Sequence, residues 1–268
     1  MGRTQRACVF CDETPLTREH VIPQWLRDVP SIAHDLSVEA RGERRSHYIY
    51  SFEREPTSRV PSSTVEERGQ FVAPRDLLVR VVCERCNTGW MSRREVGVQP
   101  LLTALIEGSS LTVLADGLVR LAAWTAKTAM MFEYNHPPTA GFSAAQHRDL
   151  VRRERPPRST DVYLARFDGP PEVWPLHRGG PIGLLPPTGG SAQVIGRCQL
   201  TTLVLGEVAL LVRSVTPAEL APVLFQKLGV PAPSWLRIWP SPPPRLQWPL
   251  TSNVVDEQDI YRVGPSSW

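Results

Sequence analysis

Lysine is nearly missing from this chain: Lys127 and Lys227 are the only two, so the rest of its 30 basic side chains are arginines. Against 27 acidic side chains they leave a net charge of +3. So small an excess excludes attachment to nucleic acid by bulk charge, and any basic surface has to be local. Long apolar runs are missing too. No stretch approaches the roughly 18 consecutive apolar residues of a membrane-spanning helix, and Met1-Gly2-Arg3-Thr4-Gln5-Arg6 leads into polar sequence where a signal segment has an apolar core. A soluble cytoplasmic protein with no membrane partner is the expectation. Phosphate-cradling glycine loops, serine-nucleophile turns and dinucleotide fingerprints are also lacking. Cysteine is scarce at five, too few and too paired for a secreted disulfide framework.

What is present is the arrangement of those cysteines. Cys8-Val9-Phe10-Cys11 and Cys83-Glu84-Arg85-Cys86 are two Cys-x-x-Cys pairs, and Cys198 is left over as an expected buried strand residue. Two residues between paired cysteines let both sulfurs reach one ion, and four thiolates suit tetrahedral zinc. Cys11 and Cys83 are 72 positions apart, so the chain between the pairs must fold back. Between them stands Glu19-His20-Val21-Ile22-Pro23, and Asn87 follows the last cysteine directly. A carboxylate, an imidazole and an amide oxygen suit a second, hard ion and a base. Redox-active thiol pairs are the competing reading of the cysteines.

At 268 residues the chain is long enough for two modest domains. A division into 1–115 and 116–268 is expected. A strand through Arg18 to Ile22 ends at Pro23, a helical turn follows at Gln24 to Val29, and an insertion rich in Ser, Arg, Glu and Pro spans about residues 24–70. A strand at Leu77 to Val82 delivers the second knuckle, and a helix opens at Asn87. Pro100 reads as the first position of a further helix stopped by Gly108. Asp116 reads as the N-cap of an all-round apolar helix from Gly117 to Tyr134, and Ser143 as the cap of another to about Arg153. From Val162 the pattern turns to strands, with a bulge at Gly206 inside Thr201 to Val215 and a helix from Thr216-Pro217 to Leu228. The Trp-Pro pairs at 239–240 and 248–249 read as aromatic anchors. The fold class is therefore α+β.

The cysteine pairs, the Glu19-His20-Val21-Ile22-Pro23 run and Cys83-Glu84-Arg85-Cys86-Asn87 together resemble the HNH endonucleases, the treble-clef or beta-beta-alpha-metal nucleases, over about the first third of the chain. Cys86-Asn87-Thr88-Gly89-Trp90-Met91-Ser92 looks like a bacterial HNH-endonuclease-like subgroup. The resemblance implies a zinc-stapled N-terminal nuclease module followed by an α+β domain of unassigned fold. It implies structural zinc on Cys8, Cys11, Cys83 and Cys86, and catalysis by His20, Glu19 and Asn87. His20 would be the general base, while Glu19 and Asn87 would hold catalytic magnesium or manganese. Asp76 would stand where the family braces its catalytic loop with asparagine. The implied partner is nucleic acid, in the first place DNA, and the implied activity is phosphodiester hydrolysis.

Substrate contacts would come from Arg18 and Arg85, nearest the site in sequence, with Arg80, Arg93 and Arg94 as further candidates. Arg148, Arg152, Arg153, Arg155 and Arg158 form the densest basic run and read as an exposed helix end or a nucleic-acid clamp. His34, His47, His136, His147 and His177 lack metal-ligand spacing and are assigned surface or packing roles. The alternative function is a catalytically degenerate zinc module that binds nucleic acid or a protein partner without cleaving it.

Overall fold

The structure, a computed structural model, describes residues 7–37, 50–51, 77–135, 140–171, 173–184, 193–227 and 233–263. Most of the expected insertion, with His47, Asp76 and His136, lies outside the described residues, as does the side chain of His34.

The first knuckle leads into β1 (Leu16–His20), and after a short 3-10 turn at Gln24–Asp28 comes α1 (Pro30–Ser37), which the sequence reading missed. β2 (Tyr50–Ser51) belongs to the main sheet described below. β3 (Leu78–Cys83) runs antiparallel to β1. The register slips between Thr17 and Glu19, because β3 spends an extra residue there. Such a bulge bends the strand that carries the extra residue, and on β3 it leaves Val81, Val82 and Cys83 buried in succession. α2 (Glu84–Cys86), a π-turn at Asn87–Met91 kinked at Gly89 and α3 (Ser92–Ile106) then follow.

Pro100 sits inside α3 instead of opening a helix. Its ring removes one hydrogen bond from that turn, and Val96, four residues earlier, is exposed, so water can take the freed carbonyl. Gly108 does stop the helix, with φ of +65°. β4 (Leu111–Leu114) leads into α4 (Ala115–Phe132). The N-cap of α4 is Leu114, and Asp116 instead lies in the first turn, where a carboxylate favours the helix dipole. Every residue from Leu121 to Phe132 is buried, so α4 is a core helix. The expected boundary at 115/116 falls inside the first turn of α4. One continuous apolar cluster there joins Val82, Met91 and Leu102 to Trp124, Leu164 and Leu210.

α5 (Ala144–Arg153) opens on a capping box in which Ser143 and Gln146 satisfy each other's backbone. β5 (Thr160–Phe167), β6 (Val173–Leu184), β7 (Gln193–Leu205) and β8 (Val208–Thr216) form the antiparallel centre of the main sheet, in the order β5-β8-β7-β6. Beyond α6 (Ala221–Lys227), β9 (Leu236–Trp239) and β11 (Val254–Val255) extend the sheet at β5, while β2 extends it at β6. β10 (Arg245–Trp248) instead pairs with β4, and α7 (Glu257–Arg262) closes the described chain. Val162, Leu164, Leu210 and Val212 face α4, whereas Tyr163, Ala165, Ala209 and Leu211 face a second cluster with Trp235 and Ile260. Burial on both faces explains why these strands read as continuous apolar runs without alternation.

Gly206 is the turn between β7 and β8, not a bulge within one strand, because Leu205 pairs with Val208. Its φ is +56°, and an added Cβ would lie 2.9 Å from Ile106 Cγ2. Gly206→Ala is expected to destabilise by about 1–3 kcal/mol, from backbone strain and crowding together. An unchanged denaturant midpoint would refute that assignment.

A buried acid–base pair fastens α5 to α4. Glu133 Oε2 accepts from the backbone amides of Gly141 and Phe142, while Oε1 lies 3.6 Å from His147 Nε2. His147 Nδ1 is 2.8 Å from the Ser143 carbonyl and must donate to it, so Nε2 carries the lone pair of the neutral ring. Burial pushes the Glu133 carboxyl up to about 8 and His147 down to about 4. Near neutrality the buried carboxyl therefore keeps its proton and the imidazole stays uncharged. Stability linked to Glu133 is full below the carboxyl's ordinary value and is lost as pH rises through about 8. That linked to His147 is full above about 6.5 and is lost as pH falls through about 4. Between pH ~6.5 and ~8 the Glu133 slope stands alone, at up to about 1.4 kcal/mol per pH unit. Urea unfolding across that window should show the wild type losing stability relative to Glu133→Gln, and parallel profiles would refute a carboxyl held protonated by burial.

Candidate functional site

The two knuckles converge. Cys8, Cys83 and Cys86 are buried, Cys11 is partly so, and their four sulfurs all lie within 4.8 Å of one another. Cys11 Sγ is 3.5 Å from Cys83 Sγ and 3.4 Å from Cys86 Sγ. Zinc–sulfur bonds of about 2.3 Å put tetrahedral sulfurs about 3.8 Å apart, so the cluster is near the required size. The first knuckle is shaped by Cys8 N donating to Glu13 O, and by Asp12 in the left-handed region at φ 63°. Val9 N donates to Val81 O, which docks that knuckle on β3. Burial raises the Cys83 and Cys86 thiols, so a cation is what would favour their ionised form. The four cysteines could therefore hold a zinc ion, and among the described residues theirs is the one His/Cys/Asp/Glu group so placed.

Asn87 lies immediately beyond this cluster. Its Nδ2 is 3.2 Å from the Arg18 carbonyl and 3.4 Å from Thr17 Oγ1, so the amide stitches the π-turn to β1 beside Glu19 and His20. With Nδ2 committed as donor, Oδ1 keeps its lone pairs for another partner. His20 is half-buried, and Gln24 Nε2 lies 3.0 Å from its Nε2.

Glu19 turns inward, where its Oε1 lies 3.6 Å from Lys127 Nζ on α4. Glu95 on α3 meets the same ammonium at 2.8 Å. Burial raises the Glu19 carboxyl; the Lys127 ammonium opposes this and Glu95 adds to it. Sequence reasoning missed both Lys127 and Glu95. The available signal was a lysine, in a chain almost without them, at the centre of an all-apolar helix.

Compared with protein-family models, curated proteins and solved structures, the chain matches none.

The remaining candidates separate. Arg18 is exposed on β1, and Arg80 donates to the Leu16 carbonyl. Arg85 is ion-paired with Glu13 at 2.8 Å, tying the second knuckle to the first across solvent. Arg94 stacks on Trp90 and donates to the Glu154 carbonyl at the end of α5. Arg148 is 3.9 Å from Asp12 of the first knuckle, and Arg153 pairs with Asp149, so the basic run is an exposed helix end beside the cysteine cluster. His147 and His177 are buried packing residues, and Cys198 is a buried strand residue whose thiol burial pushes up to about 12. Among the described residues no helix is long and apolar enough to cross a membrane.

Proposed function

We propose that the chain is an HNH-type, metal-dependent endonuclease that hydrolyses phosphodiester bonds of DNA, with zinc on its four cysteines as the structural staple. His20 is the general base, and Glu19 and Asn87 hold one magnesium or manganese ion. The single observation that supports this reading is the hydrogen bond from Asn87 to the Arg18 carbonyl, which ties the amide to the strand that carries Glu19 and His20. The Glu19 and Asn87 oxygens are hard donors, and magnesium is commonly held by few protein ligands with water and phosphate completing its shell. When bound, the ion would polarise the scissile phosphate and stabilise the leaving 3′ oxygen. His20 takes the proton of the attacking water on the ring nitrogen that faces Gln24, once that exposed side chain moves aside. Arg18 offers a phosphate contact from the same strand, whereas Arg85 has to leave Glu13 to do so.

The test is cleavage of supercoiled and single-stranded DNA by the zinc-loaded protein in magnesium and in manganese. Nicked or linear product is the expected result, and no product from any substrate with either ion overturns the proposal. A second reading, a zinc-stapled module that binds nucleic acid or protein without cutting, is favoured by the ammonium that Glu19 already faces. It predicts salt-sensitive binding and no product.

A further inference from the structure

Lys127 is fully enclosed in the most buried stretch of α4. An ammonium taken out of water has to be met by negative charge, and here that charge comes from two other elements. Glu95 Oε1 on α3 is 2.8 Å from Nζ, and Glu19 Oε1 on β1 is 3.6 Å from it. Both carboxylates are less enclosed than the lysine, Glu95 more open than Glu19, so the ammonium is the inner corner of the cluster. Each carboxylate also has a second oxygen that makes no ion pair among the described residues. A compact ammonium can stand between two carboxylates where a planar guanidinium needs a broader face, which fits a lysine here in a chain of arginines.

We propose that Lys127 is a positioning residue, a tethered cation that holds Glu95 and one oxygen of Glu19 to itself. A divalent ion is thereby left the other Glu19 oxygen and the Asn87 amide oxygen. This rests on the reading of Glu19 as an ion-holding carboxylate. One carboxylate and one neutral amide make a weak site whose ion stays largely clothed in water or phosphate. Removing the ammonium frees Glu95, and two carboxylates then face the ion.

The test is Mn2+ titration of the full, zinc-loaded chain followed by electron paramagnetic resonance. Manganese is a hard ion, and the thiolates are already occupied by zinc. Lys127→Met keeps side-chain length in an apolar setting and is expected to bind Mn2+ at least about tenfold more tightly, which a loosened fold would not do. The double variant Lys127→Met with Glu95→Gln should return to within about threefold of wild type. Zinc-retaining Lys127→Met that binds Mn2+ no more tightly than wild type overturns the proposal. Should Lys127→Met fail to fold, Glu95→Gln alone decides: unchanged Mn2+ affinity supports the proposal, and tenfold weakening overturns it by making Glu95 a ligand already. DNA cleavage by the wild type without the Mn2+ gain sinks the tethered cation alone. The Mn2+ gain in a protein that never cleaves DNA sinks the nuclease alone.

Discussion

Cys83→Ser is expected to lose the zinc and lower the melting temperature by at least about 10 °C. Cys83 is the point where β3 ends and α2 begins, and its sulfur is enclosed with the others. Without a metal, the first knuckle is tied to the second by the Val9 amide, by Phe10 packed edge-on against Trp90 and by the exposed Arg85–Glu13 pair. Solvent screens such an exposed pair, and it contributes little. Structural zinc contributes on the order of 10 kcal/mol in small zinc modules, comparable to the whole stability of a domain. Zinc analysis, together with melting before and after treatment with a strong chelator, checks this. Wild-type protein purified free of zinc, or a Cys83→Ser variant melting within about 2 °C of it, would show that the cluster is not a staple.

His20→Ala should lower the rate of DNA cleavage by about 10²- to 10⁴-fold, the usual range for a lost general base. Zinc content and melting temperature should stay put, since the ring is only half-buried and Gln24 beside it is exposed. The loss should fall on kcat, leaving KM for DNA nearly unchanged, because His20 would act on the water and not on the bound strand. A rate equal to wild type would remove His20 from the chemistry and point to a contaminating activity.

The cysteine cluster was legible because ligand spacing is a local property, and each Cys-x-x-Cys turn presents its sulfurs together wherever the chain carries it. Ser143 was legible for the same reason, as was Gly108, whose stop needs only its own backbone angle. The environment of Glu19 was not. Its partner Lys127 lies more than a hundred positions away, on a helix whose period announces only burial, and a strand position does not reveal what stands behind it. Gly206 failed as a bulge because a two-residue turn and a bulge ask the same positive φ of a glycine, and only the Leu205–Val208 pairing separates them. Pro100 failed because a solvent-facing helical turn can spare one hydrogen bond.

The pairing of β4 with β10 reaches across the chain, with Thr112 Oγ1 bonded to Gln247 Oε1 and the Trp248 indole donating to the Leu105 carbonyl. During synthesis, β4 must wait until residues 245–248 have left the ribosome before its edge is covered. The cysteine module is therefore not a cassette that can be excised or grafted at residue 115. A shortened clone would carry a bare strand edge open to association, and functional assays belong on the intact polypeptide.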